Sequence, residues 1–330
     1  MNHRRLGIPK LELLSFLIST AVFFRLTSPY FLEWENILNI FIQSSVLLTA
    51  AVGMTLVIGT AGIDLSIGAN LALSGIVTAW FLKSGSGVII GVTVGLTAGL
   101  ALGVVNGLLT ARLHISPFII TLGTAGVYRA LALILTEAQP IYGLPWAFRR
   151  LGVGSWGPLP LPVLISCLLV LLGYFLVRWT PFGVNLRAVG DNLEGAFRMG
   201  VPVKTTLIGV YGLCGLTSAL SGMIALARLN TAEAIAGLGL ELEAIAAVVI
   251  GGTSFFGGEA SLLGTFLGAL IMGTLANGLT IINIPSYYQQ LIIGVVFILA
   301  VWADGLRRNR EIHIPFRSEK ENPRKRRKEE

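Results

Sequence analysis

The chain has 330 residues, of which 54% are hydrophobic and only 12% charged, whereas soluble domains average about 25% charged residues. With a mean hydropathy of +0.78, most of it must be solvated by lipid. That excludes a cytosolic enzyme, a disulfide-rich secreted module and a disordered scaffold. The net charge of +7 gathers at the ends. The C-terminal stretch 305–330 holds ten Lys/Arg against five Asp/Glu and carries the run Pro323-Arg324-Lys325-Arg326-Arg327-Lys328.

Ten apolar elements follow at roughly 11–30, 37–60, 64–82, 87–110, 116–136, 161–178, 204–228, 241–254, 259–281 and 285–303. Several approach the ~20 residues that a crossing needs. The fold class is therefore an all-α integral membrane protein of about ten transmembrane or broken helices. The third element starts irregularly and the eighth is too short to span alone, so eight or nine crossings fit as well. The first element is preceded by Arg4, Arg5 and Lys10 and followed by Arg25 with no Ala-x-Ala pattern, so it reads as an uncleaved span.

Between the second and third elements lies Gly59-Thr60-Ala61-Gly62-Ile63-Asp64-Leu65-Ser66-Ile67-Gly68-Ala69-Asn70. An acid at membrane depth is costly and faces protein or a cavity. Asp64 is expected to cap the next helix through N–H groups two or three residues on, with Ser66 sharing that work; substrate contact is its alternative role. Asn70, one turn further on, suits a pathway better. The fourth element carries Gly91, Gly95, Gly99, Gly103 and Gly107. Spaced by four, they make a column that drifts slowly round one side of a helix. Such a groove packs another helix closely, as a static seat or as a sliding contact. Asn106 beside it can bond across helices.

The largest outer connection is 137–160, rich in Pro and Gly, and the largest inner one is 179–203. The inner one contains Gly190-Asp191-Asn192-Leu193-Glu194-Gly195-Ala196-Phe197-Arg198-Met199-Gly200-Val201-Pro202. Asp191 or Asn192 can cap a short helix over 193–199, with Gly200 stopping it and Pro202 preventing continuation. Leu193, Ala196, Phe197 and Met199 give that helix an apolar side, and Glu194 and Arg198 form an i,i+4 pair. It can rest on lipid or fit the groove of a partner. A second Gly-rich break, Gly251-Gly252-Thr253-Ser254-Phe255-Phe256-Gly257-Gly258-Glu259, resembles the first: each follows Val-Ile-Gly and holds one acid. Discontinuous helices of this kind flank transport pathways. In a ten-element count both breaks run the same way, so they do not support an inverted repeat.

With both termini cytoplasmic, eighteen of the 24 Lys and Arg fall inside, leaving Arg25, Lys83, Arg129, Arg149, Arg150 and Arg228 outside, as the positive-inside rule requires. One membrane domain, 1–304, is followed by a basic tail, 305–330, expected to be solvated and disordered and to fix topology; contact with anionic lipid is its alternative role. Nucleic acid has no stacking or base-reading face to meet here. Cys167 and Cys214 lie in apolar spans and act as small hydrophobes. His3, His114 and His313 are scattered, and the chain has neither a Gly-Lys phosphate loop nor a Gly-x-Ser-x-Gly elbow. No chemistry of its own is evident, so energy for uphill transport enters through a partner.

Several of these segments resemble one family. Gly53-Met54-Thr55-Leu56-Val57-Ile58, Gly62-Ile63-Asp64-Leu65-Ser66-Ile67-Gly68 and Leu71-Ala72-Leu73-Ser74-Gly75 are similar to permease subunits of bacterial ABC sugar importers, closest to the ribose group of the branched-chain amino acid and simple-sugar permeases. Ala188-Val189-Gly190-Asp191-Asn192, Ile250-Gly251-Gly252-Thr253-Ser254, Asn277-Gly278-Leu279 and Ser286-Tyr287-Tyr288-Gln289 agree, and the resemblance covers about 40–303.

The resemblance implies a BtuC-like permease bundle in the bacterial inner membrane and a second permease copy or paralogue. It also implies a cytoplasmic ABC ATPase carrying the ATP and magnesium, with no cofactor on this chain, and an extracytoplasmic sugar-binding protein. The family's helix that couples to the ATPase falls on Asp191, Asn192, Glu194, Ala196, Arg198, Met199 and Gly200. Alternating access is the implied mechanism, with Asn70, Ser74, Asn277, Tyr287, Tyr288 and Gln289 as candidates for hydroxyl-bonding or stacking groups along the path. A nucleoside, a branched-chain amino acid or a furanose-like signal is the alternative cargo, and a stand-alone ion-coupled carrier or channel the alternative class. Gly195 departs from the Ala or Thr of many relatives, which weakens a helix by about 1 kcal/mol. The tail is longer and more basic than the family pattern.

Overall fold

A computed structural model describes residues 9–113 and 115–312. Thirteen helices account for most of these residues. In chain order they are α1 (Pro9–Thr27), α2 (Trp34–Gly59), α3 (Ile67–Lys83), α4 (Val88–Leu113), α5 (Pro117–Thr136), α6 (Trp146–Val153), α7 (Leu161–Trp179), α8 (Pro181–Asp191), α9 (Leu193–Arg198), α10 (Val203–Leu229), α11 (Leu240–Ile250), α12 (Leu262–Ile281) and α13 (Ser286–Ile312). Among the described residues seven helices are long and apolar enough to cross a membrane: α2, α4, α5, α7, α10, α12 and the first 21 residues of α13. The other three predicted elements are helices as well, α1, α3 and α11. Lys10, Glu12 and Arg25 make α1 more polar than the seven, while α3 and α11 have 17 and 11 residues.

Glycine and small polar residues decide the packing. α10 is buried along most of its length, and α2, α3 and α4 close around it. A Cβ on Gly53 of α2 would run into Cys214 of α10, and one on Gly222 of α10 into the Leu71 carbonyl of α3. Hydroxyls join the same helices. Ser221 Oγ donates to the Val46 carbonyl at 2.7 Å, and the Thr55 and Thr265 hydroxyls share a hydrogen bond of 2.7 Å between α2 and α12. In lipid, where apolar contact alone drives no association, such close approach and polar bonding hold helices together. α4 is fully buried only at Gly91, Gly95, Gly99, Gly103, Asn106 and Gly107; Val88, Val92, Leu96 and Leu102 beside them are half-buried against a core cluster. α1 clips onto α12 through Phe24, whose ring occupies the space a Cβ on Gly278 would need.

The polar connections gather at two ends of the bundle. At one end β1 (Ile141–Tyr142) pairs antiparallel with β4 (Thr231–Ala232), and β2 (Ser155–Trp156) pairs with β3 (Leu159–Pro160). Here α6 lies on α10, because Gly152 lets it sit against the Ala227–Arg228 backbone. The connection 137–160, rich in Pro and Gly, thus holds a helix and three short strands. At the other end are the two Gly-rich breaks, α8 and α9. α13 continues to Ile312, past the predicted tail boundary at 304; the basic run 323–328 lies outside the described residues, as do His3, His114 and His313.

Candidate functional site

The two Gly-rich breaks meet. The Gly258 N–H donates to the Gly59 carbonyl at 3.1 Å. Gly257 and Gly258 both have positive φ, as does Gly252, a conformation open to glycine at little cost. A Cβ on Gly257 would strike Ala61 and the Gly190 carbonyl, and one on Gly190 would strike the Gly59 carbonyl and the Gly258 nitrogen. The end of α2, the turn after α11 and the end of α8 therefore share one backbone-tight junction. Asp191, the last residue of α8, borders it; a Cβ on Gly258 would lie 3.5 Å from the Asp191 Cα.

One residue beyond Asp191, the short helix α9 begins. Asn192 is its N-cap, with Oδ1 accepting the Gly195 N–H at 2.8 Å. Of the two predicted caps, Asn192 is the one used. Gly195 leaves room for that cap, since a Cβ there would press on the Asn192 amide at 3.1 to 3.3 Å. Gly200, at φ +81°, ends the helix and donates to the Phe197 carbonyl at 3.0 Å. Ala196 turns inward against Val189, Val203 and Leu207. Leu193, Phe197 and Met199 point away from the bundle and are exposed, Met199 to 85%. Glu194 and Arg198 form an ion pair of 2.5 Å in the open. Among the described residues nothing covers these three side chains.

The first break carries a buried polar network. Asp64 Oδ1 accepts from the Ser66 N–H at 2.9 Å and the Ser66 hydroxyl at 2.6 Å. Asn106 Nδ2 of α4 donates to Ser66 Oγ at 2.7 Å, and Asn106 Oδ1 accepts from the Tyr128 hydroxyl of α5 at 3.1 Å. Asp64 does reach the N–H two residues on, but α3 begins at Ile67 with Ser66 as its N-cap residue. Asp64 therefore closes an Asx-turn ahead of the helix rather than capping it. The Ile63 carbonyl accepts from Thr121 of α5 at 3.1 Å and from the Tyr211 hydroxyl of α10 at 3.4 Å. Gly62 is needed because Tyr211 and Val57 fill the place of its Cβ.

α3 and α11 also approach each other. A Cβ on Gly68 would collide with the Gly237 carbonyl and come within 2.8 Å of the Glu241 carboxylate. Arg129, on α5, donates to the carbonyls of Ala234 and Ala236 in the connection leading to α11. In the second break Thr253 Oγ1 accepts from the Ser261 N–H at 2.9 Å, and Ser261 Oγ accepts from Gly264 N–H at 3.3 Å to start α12. Gly251 lies on Gly264, with no space for a Cβ.

The candidates for a path are spread over the bundle. Asn70 and Ser74 are buried on α3. Asn70 Nδ2 donates to the Gly99 carbonyl of α4 at 3.1 Å, and the Ser74 hydroxyl donates to the Asn70 carbonyl at 2.6 Å. Asn277 Nδ2 donates to Asn36 Oδ1 at 3.0 Å, tying α12 to α2. Tyr287 and Tyr288 are exposed at the start of α13 with ring centroids 4.7 Å apart. Gln289 donates to the Ile284 carbonyl at 2.8 Å. Asn70 and Ser74 are neighbours, as are Tyr287, Tyr288 and Gln289, but the two groups and Asn277 are not joined by any of these bonds.

Three features escaped the sequence reading. α8 was hidden in the inner connection, although Thr180-Pro181 is a helix-start signal with Pro at the first position. Arg129 was counted as an outer charge; a lone cation within an apolar span is itself the sign of a buried polar partner. Asp304 on α13 accepts from the Phe255 N–H at 3.0 Å, a pairing that no local pattern announces. Cys167 and Cys214 are free thiols, the latter buried.

The family described as the branched-chain amino acid transport system permease component matches residues 36–301. The chain is 43% identical over 279 residues to the ribose import permease protein of Bacillus subtilis strain 168, covering 84% of this chain and 87% of that one. It is 40% identical over 298 residues to the D-allose transport system permease protein of Escherichia coli strain K12, covering 88% and 89%. It is 35% identical over 284 residues to an L-arabinose ABC transporter permease protein of Azospirillum brasilense, covering 86% and 84%. No solved structure matches.

Proposed function

The chain belongs to the branched-chain amino acid transport system permease component family, and from that premise we propose that it is the membrane-spanning permease subunit of an ATP-binding-cassette importer moving a simple sugar, a pentose or hexose, into the cytoplasm. One observation carries this reading: similarity along more than four-fifths of the chain to permeases for D-allose, ribose and L-arabinose. The protein is a multi-pass protein of the bacterial cell membrane and a transport subunit. ATP and magnesium are handled by a separate ATPase, and an extracytoplasmic protein delivers the sugar. A second permease, a copy or a paralogue, completes the path.

In this reading all ten predicted elements cross or half-cross the membrane in a BtuC-like bundle, with both termini cytoplasmic. The alternation of connections between two ends of the bundle supports it, and so does the excess of basic residues at the α9 end. α9 is the coupling helix, and its exposed Leu193, Phe197 and Met199 enter a groove of the ATPase. Closure of the ATPase pair moves α9, and the packed spans follow as rigid bodies in alternating access. Because the cargo is neutral, the path offers hydroxyl-bonding and aromatic groups. Asn70, Ser74, Asn277, Tyr287, Tyr288 and Gln289 fill that role.

The test is reconstitution in liposomes with the ATPase and the binding protein, using D-ribose, D-allose and L-arabinose as probes. ATP-dependent uptake of one of them is expected. Uptake driven by an ion gradient without any ATPase would overturn the reading. Gly200→Pro, which cannot adopt φ > 0, and Phe197→Ala are expected to insert normally yet lose coupled transport.

A further inference from the structure

The junction of Gly59, Gly190 and Gly258 is held from several sides. Gly258 N–H bonds to Gly59 at the end of α2. Thr253 ties the turn to Ser261 at the start of α12. On the remaining side the Asp304 carboxylate of α13 accepts the Phe255 N–H. Phe255 packs against the main core, so this bond fixes the middle of the turn, two residues before Gly257. One side of α13 packs on the main core through Ile293, Val296, Phe297, Ala300 and Val301 and lies against α11, although no residue of its span is fully buried. That apolar side already holds the helix, so the carboxylate at its partly buried end serves one distant backbone amide instead.

We infer that Asp304 is a positioning residue for energy transmission. By holding the 253–258 turn it keeps Gly257 and Gly258 seated between the end of α2 and the end of α8. Movement of α9, which follows α8 after one residue, then passes through Gly190 and Asp191 to both broken helices together. The inference rests on α9 being the coupling helix. The physical requirement is stiffness: a turn of this many glycines has the greatest backbone freedom of any segment, and it transmits displacement only where its amides are bound.

The experiment uses the full permease assembled with its ATPase and binding protein in nanodiscs and liposomes. ATP hydrolysis, its stimulation by sugar-loaded binding protein, and uptake of D-ribose, D-allose and L-arabinose are measured together. Asp304→Ala is expected to lower uptake about tenfold, the fold-change that corresponds to the upper end of one ordinary hydrogen bond, while basal hydrolysis and assembly persist. Asp304→Asn, which keeps an acceptor oxygen, restores most of the uptake. Asp304→Glu, which keeps the charge but moves the oxygen by one methylene, covers the case in which the alanine variant does not assemble; it too is expected to uncouple. Wild-type ratios of uptake to hydrolysis in the assembled Ala or Glu variants overturn the inference. A fall in uptake that merely tracks lost assembly, with normal coupling in the Glu variant, overturns it as well. Phe197→Ala runs in parallel. If it transports normally, the coupling reading of α9 fails; if it uncouples while the Asp304 variants do not, only the role of Asp304 fails.

Discussion

Asp64, Ser66, Asn106 and Tyr128 form a chain of hydrogen bonds linking the first break to α4 and α5. All four are buried, so each depends on the others for its polar partners. Removing one member takes a buried partner from its neighbours, which costs more than the lost bond itself; Tyr128 keeps a second acceptor in the Leu102 carbonyl at 2.9 Å. Asn106→Ala is therefore expected to lower stability by about 1–3 kcal/mol, read as a lower unfolding temperature in detergent. Ser66→Ala, which spares the Asn106–Tyr128 bond, is expected to cost less. Part of this was legible in the residues. An acid and an amide at membrane depth announce a network. That Asp64 turns into Ser66, and that Tyr128 completes the chain from 22 residues beyond Asn106, depends on how α5 lies.

The fourth helix shows how much of an element a sequence can hold. Its glycine spacing already named the face that packs, and all five glycines are buried on that face. Gly103 meets the Tyr211 carbonyl and Gly215 of α10, and Gly107 meets Ile208. These neighbours are backbone and cannot move aside. Gly103→Leu is expected to destabilise the bundle by about 3 kcal/mol or more. Gly294→Ala on α13, where nothing lies near an added Cβ, is expected to gain about 0.5–1 kcal/mol in helix propensity. Thermal unfolding of the two variants in nanodiscs separates the cases. The cap, stop and apolar side of α9 were equally readable, because Asn192, Gly195 and Gly200 lie within nine consecutive residues, about two helical turns. The two-residue pairing of β1 with β4 was not, because it joins segments 90 residues apart and is too short for alternation.

For the whole molecule, the arrangement of connections predicts sidedness. Arg150 on α6 and Arg198 on α9 lie at opposite ends of the bundle. With Cys167 and Cys214 replaced by Ala, Arg150→Cys is expected to react with a membrane-impermeant maleimide added to whole cells, and Arg198→Cys only after the membrane is opened. The reverse pattern would invert the orientation. The hydropathy pattern located ten apolar elements, all of them helices and seven of them, among the described residues, long and apolar enough to cross a membrane, since lipid imposes length and apolarity on each crossing separately. The meeting of the two breaks beneath α8 was beyond its reach, since it arises from three backbones in close contact at Gly59, Gly190 and Gly258.

The glycine face of α4 also bears on how the protein is made. Helix-interior glycine costs up to about 1 kcal/mol relative to alanine, so five of them leave α4 intrinsically weak. Its principal neighbour, α10, starts at Val203, about 90 residues after α4 ends at Leu113. At 5–20 residues per second, synthesis leaves α4 without that neighbour for roughly 5–20 s. During this interval α3 and the bilayer hold it, since lipid offers its backbone no bonds other than its own. The arrival of α10 is thus the step that commits the bundle, and a nascent chain halted before residue 203 should expose the glycine face to proteases of the membrane.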